Sequence, residues 1–134
     1  MPTQAEHEIG LAAFLKHERR ARFRDALQHD RSRKKLKREL AHFENRLDPR
    51  YAELQEMHTK HDHHVVGVYE RLVAAGAPER CFVLDVDDRL EGELPLRMAV
   101  EDLMWTGAGF ISCLPAELAL YVSEDGSNVF VLRR

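Results

Sequence analysis

Apolar residues along the first 76 positions recur at helical spacing, whereas from residue 77 onward they gather mostly in short β-branched runs. From Gln4 to Gln28 nearly every residue is an acceptable helix former and proline is absent, which predicts one long helix. Its better stripe is Leu11, Phe14, Leu15, Phe23 and Leu27; Ile9, Ala12, Ala13, Lys16 and Arg20 trace a poorer one. The pattern weakens at His29-Asp30-Arg31-Ser32, where Asp30 or Ser32 is placed to cap a second helix. In that helix Leu36, Leu40, Phe43 and Leu47 follow at spacings of four, three and four, a clean amphipathic face. Asp48-Pro49 ends it, since a proline ring disfavours helix at the residue before it, and Asp48 could cap a further helix starting at Pro49. Tyr51 to His64 is helix-compatible but polar, and irregular around His58 to His64. A clearer helix carries Val65, Val68, Tyr69, Leu72 and Val73 and stops at Gly76, with Pro78 just beyond.

The second part predicts strands at Cys81–Asp87, Phe110–Leu114, Leu118–Ser123 and Val129–Arg133. Leu96–Thr106 reads as a helix, with Leu96, Val100, Leu103 and Met104 on one side and Gly107 and Gly109 after it. Asp88 to Glu93 is a polar loop, and Asp125-Gly126-Ser127-Asn128 is a strong hairpin turn signal. The expected fold class is α+β in a single domain over residues 1–134. A helical part, 1–76, packs with a β-α-β-β-β part, 77–134, made of a mostly antiparallel four-stranded sheet and one helix. Asp48-Pro49 and Gly76–Pro78 are the plausible hinges.

Pieces of this pattern resemble a group of small bacterial proteins of uncharacterised function. They are Gly76-Ala77-Pro78, Cys81-Phe82-Val83-Leu84, the Leu96–Leu103 helix, Ile111-Ser112-Cys113-Leu114-Pro115, Leu118-Ala119-Leu120-Tyr121 and Val131-Leu132-Arg133, with Leu47-Asp48-Pro49-Arg50-Tyr51 in the front half. The resemblance implies a shared domain and carries no chemistry. It leads to an expectation of glycine after Pro115, where this chain has Ala116.

Composition changes the picture in one respect. The net charge of −3 conceals 13 Lys and Arg against 8 Asp and Glu in residues 1–50, and 7 against 15 in residues 51–134. Charge divided this way bears on partners and self-association rather than on fold. No run of about 18 apolar residues exists, so no membrane-spanning helix is expected. The first residues lack the basic and apolar regions of a secretory signal. Cys81 and Cys113 lie in apolar runs, as buried thiols of a reducing compartment do, which places the protein in the cytoplasm.

Three segments could carry chemistry. Val83-Leu84-Asp85-Val86-Asp87-Asp88 resembles the nucleophile motif of haloacid dehalogenase-type phosphatases, in which paired aspartates hold Mg²⁺. Arg89 stands where that family has threonine, and too few residues follow to complete its sheet. An EF-hand is excluded because Leu90, not glycine, is sixth from Asp85. On a helix, His58, His61 and Asp62 share a face and could converge on a divalent metal such as Zn²⁺ or Ni²⁺; no cofactor is otherwise implied. Between Lys16 and Arg38 stand 11 Lys and Arg against Glu18, Asp25 and Asp30. The densest part contributes Arg31, Arg33, Lys34, Lys35, Lys37 and Arg38, a stripe that could bind nucleic-acid phosphates. No nucleophile, base and orienting partner can be placed together from sequence, so an enzyme is not the expectation. The leading expectation is a non-catalytic protein-binding or regulatory module, whose partner is another protein or a second copy of the chain. Nucleic-acid association through residues 16–38 is one alternative, and a metal-dependent enzyme or metal sensor is another.

Overall fold

The computed structural model describes residues 2–56, 60–87, 92–124 and 128–134. Its helices are α1 (Gln4–Gly10), α2 (His17–Leu27), α3 (Asp30–Glu39), α4 (His61–Ala74) and α5 (Leu96–Thr106). Its strands are β1 (Ala52–Leu54), β2 (Arg80–Asp85), β3 (Gly92–Pro95), β4 (Gly109–Leu114), β5 (Leu118–Val122) and β6 (Val129–Arg133). The strands form one sheet in the order β1-β6-β5-β4-β2-β3, antiparallel at every junction.

Side chains alternate across that sheet and feed two separate cores. Val83, Ile111, Leu118, Leu120 and Val122 join Val65, Val68 and Leu72 of α4 and Ala99, Val100 and Leu103 of α5. Leu84, Phe110, Ala119, Tyr121 and Leu132 join Leu11, Phe14, Phe23, Leu36, Leu40 and Phe43 of the N-terminal segment. The sheet is therefore the middle of three layers. All five residues of β5 are buried, as expected of a strand covered on both sides.

The α+β class and the four expected strands are present, but the sheet is larger than four strands. β1 pairs with β6 through Ala52↔Leu132, Glu53↔Val131 and Leu54↔Phe130, where the sequence suggests helix. Ala-Glu-Leu is good helix sequence, and pairing with a strand almost eighty residues later overrides that local preference. β3 falls within and just after the expected polar loop. Its glycine and proline suit a short edge strand, where a missing N–H costs no ladder bond. The expectation of a single helix beside the sheet also fails: α4 and α5 cover one face together, and the N-terminal helices cover the other.

The expected 4–28 helix is broken. Leu11–Phe14 is a 3-10 turn, and Leu15 leaves it in extended conformation to bridge Leu47. Lys16 N–H donates to the Arg46 carbonyl at 2.9 Å and Asp48 N–H to that of Phe14 at 2.8 Å. Leu11, Phe14 and Leu15 are all buried in the core around this break. After α3 the chain tightens into 3-10 turns at Leu40–His42 and Glu44–Arg46. Neither Asp30 nor Ser32 caps α3. His29 takes the cap position, and Ser32 Oγ donates back to the carbonyls of Ala26 (2.9 Å) and His29 (3.1 Å), fastening the α2–α3 corner. Asp48 begins a turn rather than a helix, its carboxylate accepting from the Arg50 backbone N–H at 3.0 Å.

Two backbone positions confirm the punctuation. Gly76 has φ +103° and ends α4, with its N–H on the Val73 carbonyl and that of Ala77 on Leu72, the paired bonds of a Schellman cap. Ala116 has φ +62° in the turn after Pro115, the left-handed position at which glycine was expected. The Glu117 N–H to Leu114 carbonyl bond of 3.0 Å closes that turn. The Asp125-Gly126-Ser127 turn signal lies outside the described residues, though β5 and β6 pair across it from Val122↔Val129 onward.

Candidate docking surface

The basic tract does not form one uniform stripe. It divides between the two sides of α3. Arg33 turns inward and makes a bidentate pair with Glu8 of α1, at 2.8 and 2.7 Å. Lys37, one turn later, is buried. With Leu36 and Leu40 they form the side of α3 that faces the protein. Arg31, Lys34, Lys35 and Arg38 are exposed, at spacings that put all four on the outer side. On α2 the same division occurs: Arg20 Nε donates to the Leu15 carbonyl at 3.0 Å, while Arg19, Arg22 and Arg24 are exposed.

Between α2 and α3 lies an open cleft of about 500 Å³. Leu15, Phe23, Ala26, Leu36 and Phe43 supply its apolar surface. Its charged side chains are Arg19, Arg22, Lys35 and Arg46 against Asp25 and Glu39, a surplus of two positive charges. Arg46 is paired with Glu39 at 3.1 Å and stacks over the Phe43 ring at 4.5 Å, so Arg19, Arg22 and Lys35 carry most of the surplus.

The cleft floor is anchored to the sheet. Phe43 lies 6.0 Å from Phe23 and 6.1 Å from Phe110, centre to centre, in tilted and edge-on contacts. The Tyr121 hydroxyl, buried on β5, accepts from the Phe43 N–H at 2.9 Å and donates to the Leu40 carbonyl at 2.6 Å. One hydroxyl therefore reinforces two backbone groups in the 3-10 segment, whose own bond from the Phe43 N–H to the Leu40 carbonyl is long, at 3.4 Å. Burial pushes the Tyr121 phenol up to about 12, so it stays protonated and keeps its donor. Sequence reading missed this pin: Tyr121 sits in an apolar run, and its partners lie about eighty residues away.

A second unforeseen contact joins α1 to the sheet. His7 Nδ1 lies 2.8 Å from Ser112 Oγ, and its ring stacks on Phe82 at 4.4 Å. A serine–histidine bond suggests a nucleophile and its base. Here, however, Ser112 is 2% and His7 5% exposed, so the pair is closed to substrate and fastens α1 to β4. Burial lowers the His7 pKa, with Glu6 and Glu93 partly opposing, so the ring is held neutral.

The remaining sequence candidates are dispersed. His61 begins α4, half-buried, with its ring 4.2 Å from Trp105; Asp62 beside it is exposed, and His58 lies outside the described residues. Among the described residues no three His, Cys, Asp or Glu side chains form a group able to hold a metal ion. His64 instead lines a hollow of about 410 Å³ with Glu53, Glu56 and Arg71. Asp85 is buried at the end of β2 opposite Gly109, and Asp87 is exposed; Asp88 and Arg89 are outside the described residues. Cys81 and Cys113 are free, and burial raises both thiols, Cys81 to about 12, which leaves them unreactive. No helix of the described residues is long and apolar enough to cross a membrane.

Fold and site together define an α+β protein whose sheet lies between two helical layers, with a cation-rimmed apolar cleft on one of them. No family model, curated protein or solved structure matches the chain.

Proposed function

We propose that this chain is a non-catalytic protein-binding module of the bacterial cytoplasm, and that the α2–α3 cleft is where its partner docks. The cleft itself supports this reading. It joins an apolar floor to a rim of exposed arginine and lysine, which suits the apolar and acidic faces of an amphipathic helix from another protein. The test is fluorescence anisotropy with a labelled synthetic helix rich in glutamate and leucine and bearing one tryptophan. Binding that weakens on the order of tenfold or more in the Arg22→Glu/Lys35→Glu variant supports the reading. Equal binding by that variant, or none by the wild type, ends it.

A second reading is favoured by the outer side of α3. Arg31, Lys34, Lys35 and Arg38 face solvent in one line, the arrangement a phosphate backbone would meet. It predicts duplex DNA binding that weakens steeply with salt and is lost on Arg31→Glu, Lys34→Glu and Arg38→Glu. Arg33 and Lys37 are unsuitable for that test, since both serve the fold. Retention of DNA by the triple variant would eliminate the stripe as the binding surface.

A further inference from the structure

Trp105 is the only tryptophan in the chain, and it is 65% exposed near the end of α5. Large aromatic side chains bury well and dominate interface energetics, so one left in water on an ordered helix calls for an explanation. Trp105 is not isolated. Met98, two helical turns earlier on the same side, is 48% exposed, and exposed Glu101 and half-buried Asp102 lie between them. The opposite side of α5, with Leu96, Ala99, Val100 and Leu103, is spent on the core. Among the described residues, the His61 ring contacts the indole at 4.2 Å. The outer side of α5 thus has an aromatic anchor, a second apolar contact and two carboxylates. These are the features that the α2–α3 cleft is built to receive.

The two surfaces cannot meet within one molecule. α2 and α3 pack on one side of the sheet and α5 on the other, with a layer of strands buried on both sides between them. We propose that the cleft of one molecule receives Trp105 and the acidic outer side of α5 from a second copy, so that the protein associates head to tail. The proposal rests on the docking reading of the cleft and names its occupant. Half-buried Ala26, above the buried Phe23 and Phe43, gives the indole an apolar seat, and Arg19, Arg22 and Lys35 on the rim oppose the exposed Glu101. Because the two patches differ, the contact is heterologous: it leaves a free cleft at one end and a free tryptophan at the other, and grows unless a ring closes.

The sole tryptophan makes the contact directly observable. In light scattering after size exclusion, the mass of the wild type should rise with protein concentration and fall with salt, while tryptophan emission moves to shorter wavelength as mass rises. Trp105→Ala removes the anchor and Arg22→Glu/Lys35→Glu removes the cleft charge; each variant should be monomeric, with folding checked by circular dichroism. Mixed, they retain one working surface each and should form a 1:1 heterodimer that grows no further. Emission then comes only from the cleft variant and should shift blue on addition of Trp105→Ala. A wild type that is monomeric throughout, with unchanged emission, overturns the proposal, as does association that survives in either variant. If the acidic helix peptide still binds under those outcomes, the cleft remains a docking site and only the identity of its occupant is wrong. Loss of both peptide binding and self-association removes the docking reading as well.

Discussion

The two faces of the sheet solve the same packing problem with different chemistry. Toward α4 and α5 the buried cluster is aliphatic or sulfur-bearing: Val83, Ile111, Cys113, Leu120 and Leu103 interlock without a buried aromatic ring. Toward the N-terminal helices the cluster mixes leucines with aromatic rings, Phe14, Phe23, Phe43, Phe110 and Tyr121, and is tied down by discrete polar contacts. Aliphatic packing is non-directional and tolerates small shifts. Aromatic edges and hydrogen bonds demand particular positions, which suits the side that has to hold a cleft open. The first face supplies stability. The second also supplies shape.

The largest effect should come from the aliphatic face. Leu103→Ala empties a fully buried site on α5 and should cost about 2–5 kcal/mol in urea unfolding, without reshaping the cleft opposite. A variant that lost peptide binding at full folding would show that the two faces are coupled. Tyr121→Phe is the matching cut on the aromatic face. It leaves the Phe43 N–H and Leu40 carbonyl only their long 3.4 Å bond to each other and should cost about 0.5–1.5 kcal/mol. Unlike Leu103→Ala it should also weaken binding at the cleft, because Phe43 forms the floor; unchanged affinity would mean that the aromatic cluster holds Phe43 alone.

Acid should separate the faces next. His7 has a folded pKa below its unfolded value, so the unfolded chain binds more protons at mildly acidic pH. Its contribution to stability is complete above the unfolded value of about 6.5 and declines as pH falls toward the folded value. His7→Gln should flatten the stability profile below about pH 6.5 relative to wild type. Parallel profiles would mean that other groups set the acid response. Asp48 acts further down the scale. The Arg50 side chain holds its carboxyl at about 2, so its stabilisation is present above 3.8 and is lost as pH falls toward 2. The smallest expected change is a gain. Ala116→Gly relieves a left-handed alanine where α1 meets the β4–β5 turn and should raise stability by roughly 0.5–1 kcal/mol. A loss there would mean that the alanine methyl makes contacts worth more than the strain.

Local signals account for most of the elements recovered from sequence. β2, β4, β5, β6 and α5 follow from runs and periods a few residues long, and Gly76 with Pro78 marks the end of α4. β1 and β3 were not legible because neither has an intrinsic preference for strand; partners elsewhere in the sheet make them strands. The same limit applies to the candidate surface. The sequence shows eleven cations between Lys16 and Arg38 but cannot divide them, since Arg33 and Lys35 are alike until Glu8 is brought beside one of them.

What the sequence by itself determined is which segments are apolar on one side or two, and how charge divides between the halves. Those properties depend on neighbours a few positions away. Only the tertiary structure decided that the sheet sits in the middle, with Trp105 on one outer face and the basic cleft on the other. It decided equally that the Tyr121 hydroxyl, on the buried β5, would hold the cleft floor. These are relations between residues many tens of positions apart, set by which cores the strands feed, and local pattern carries no record of them.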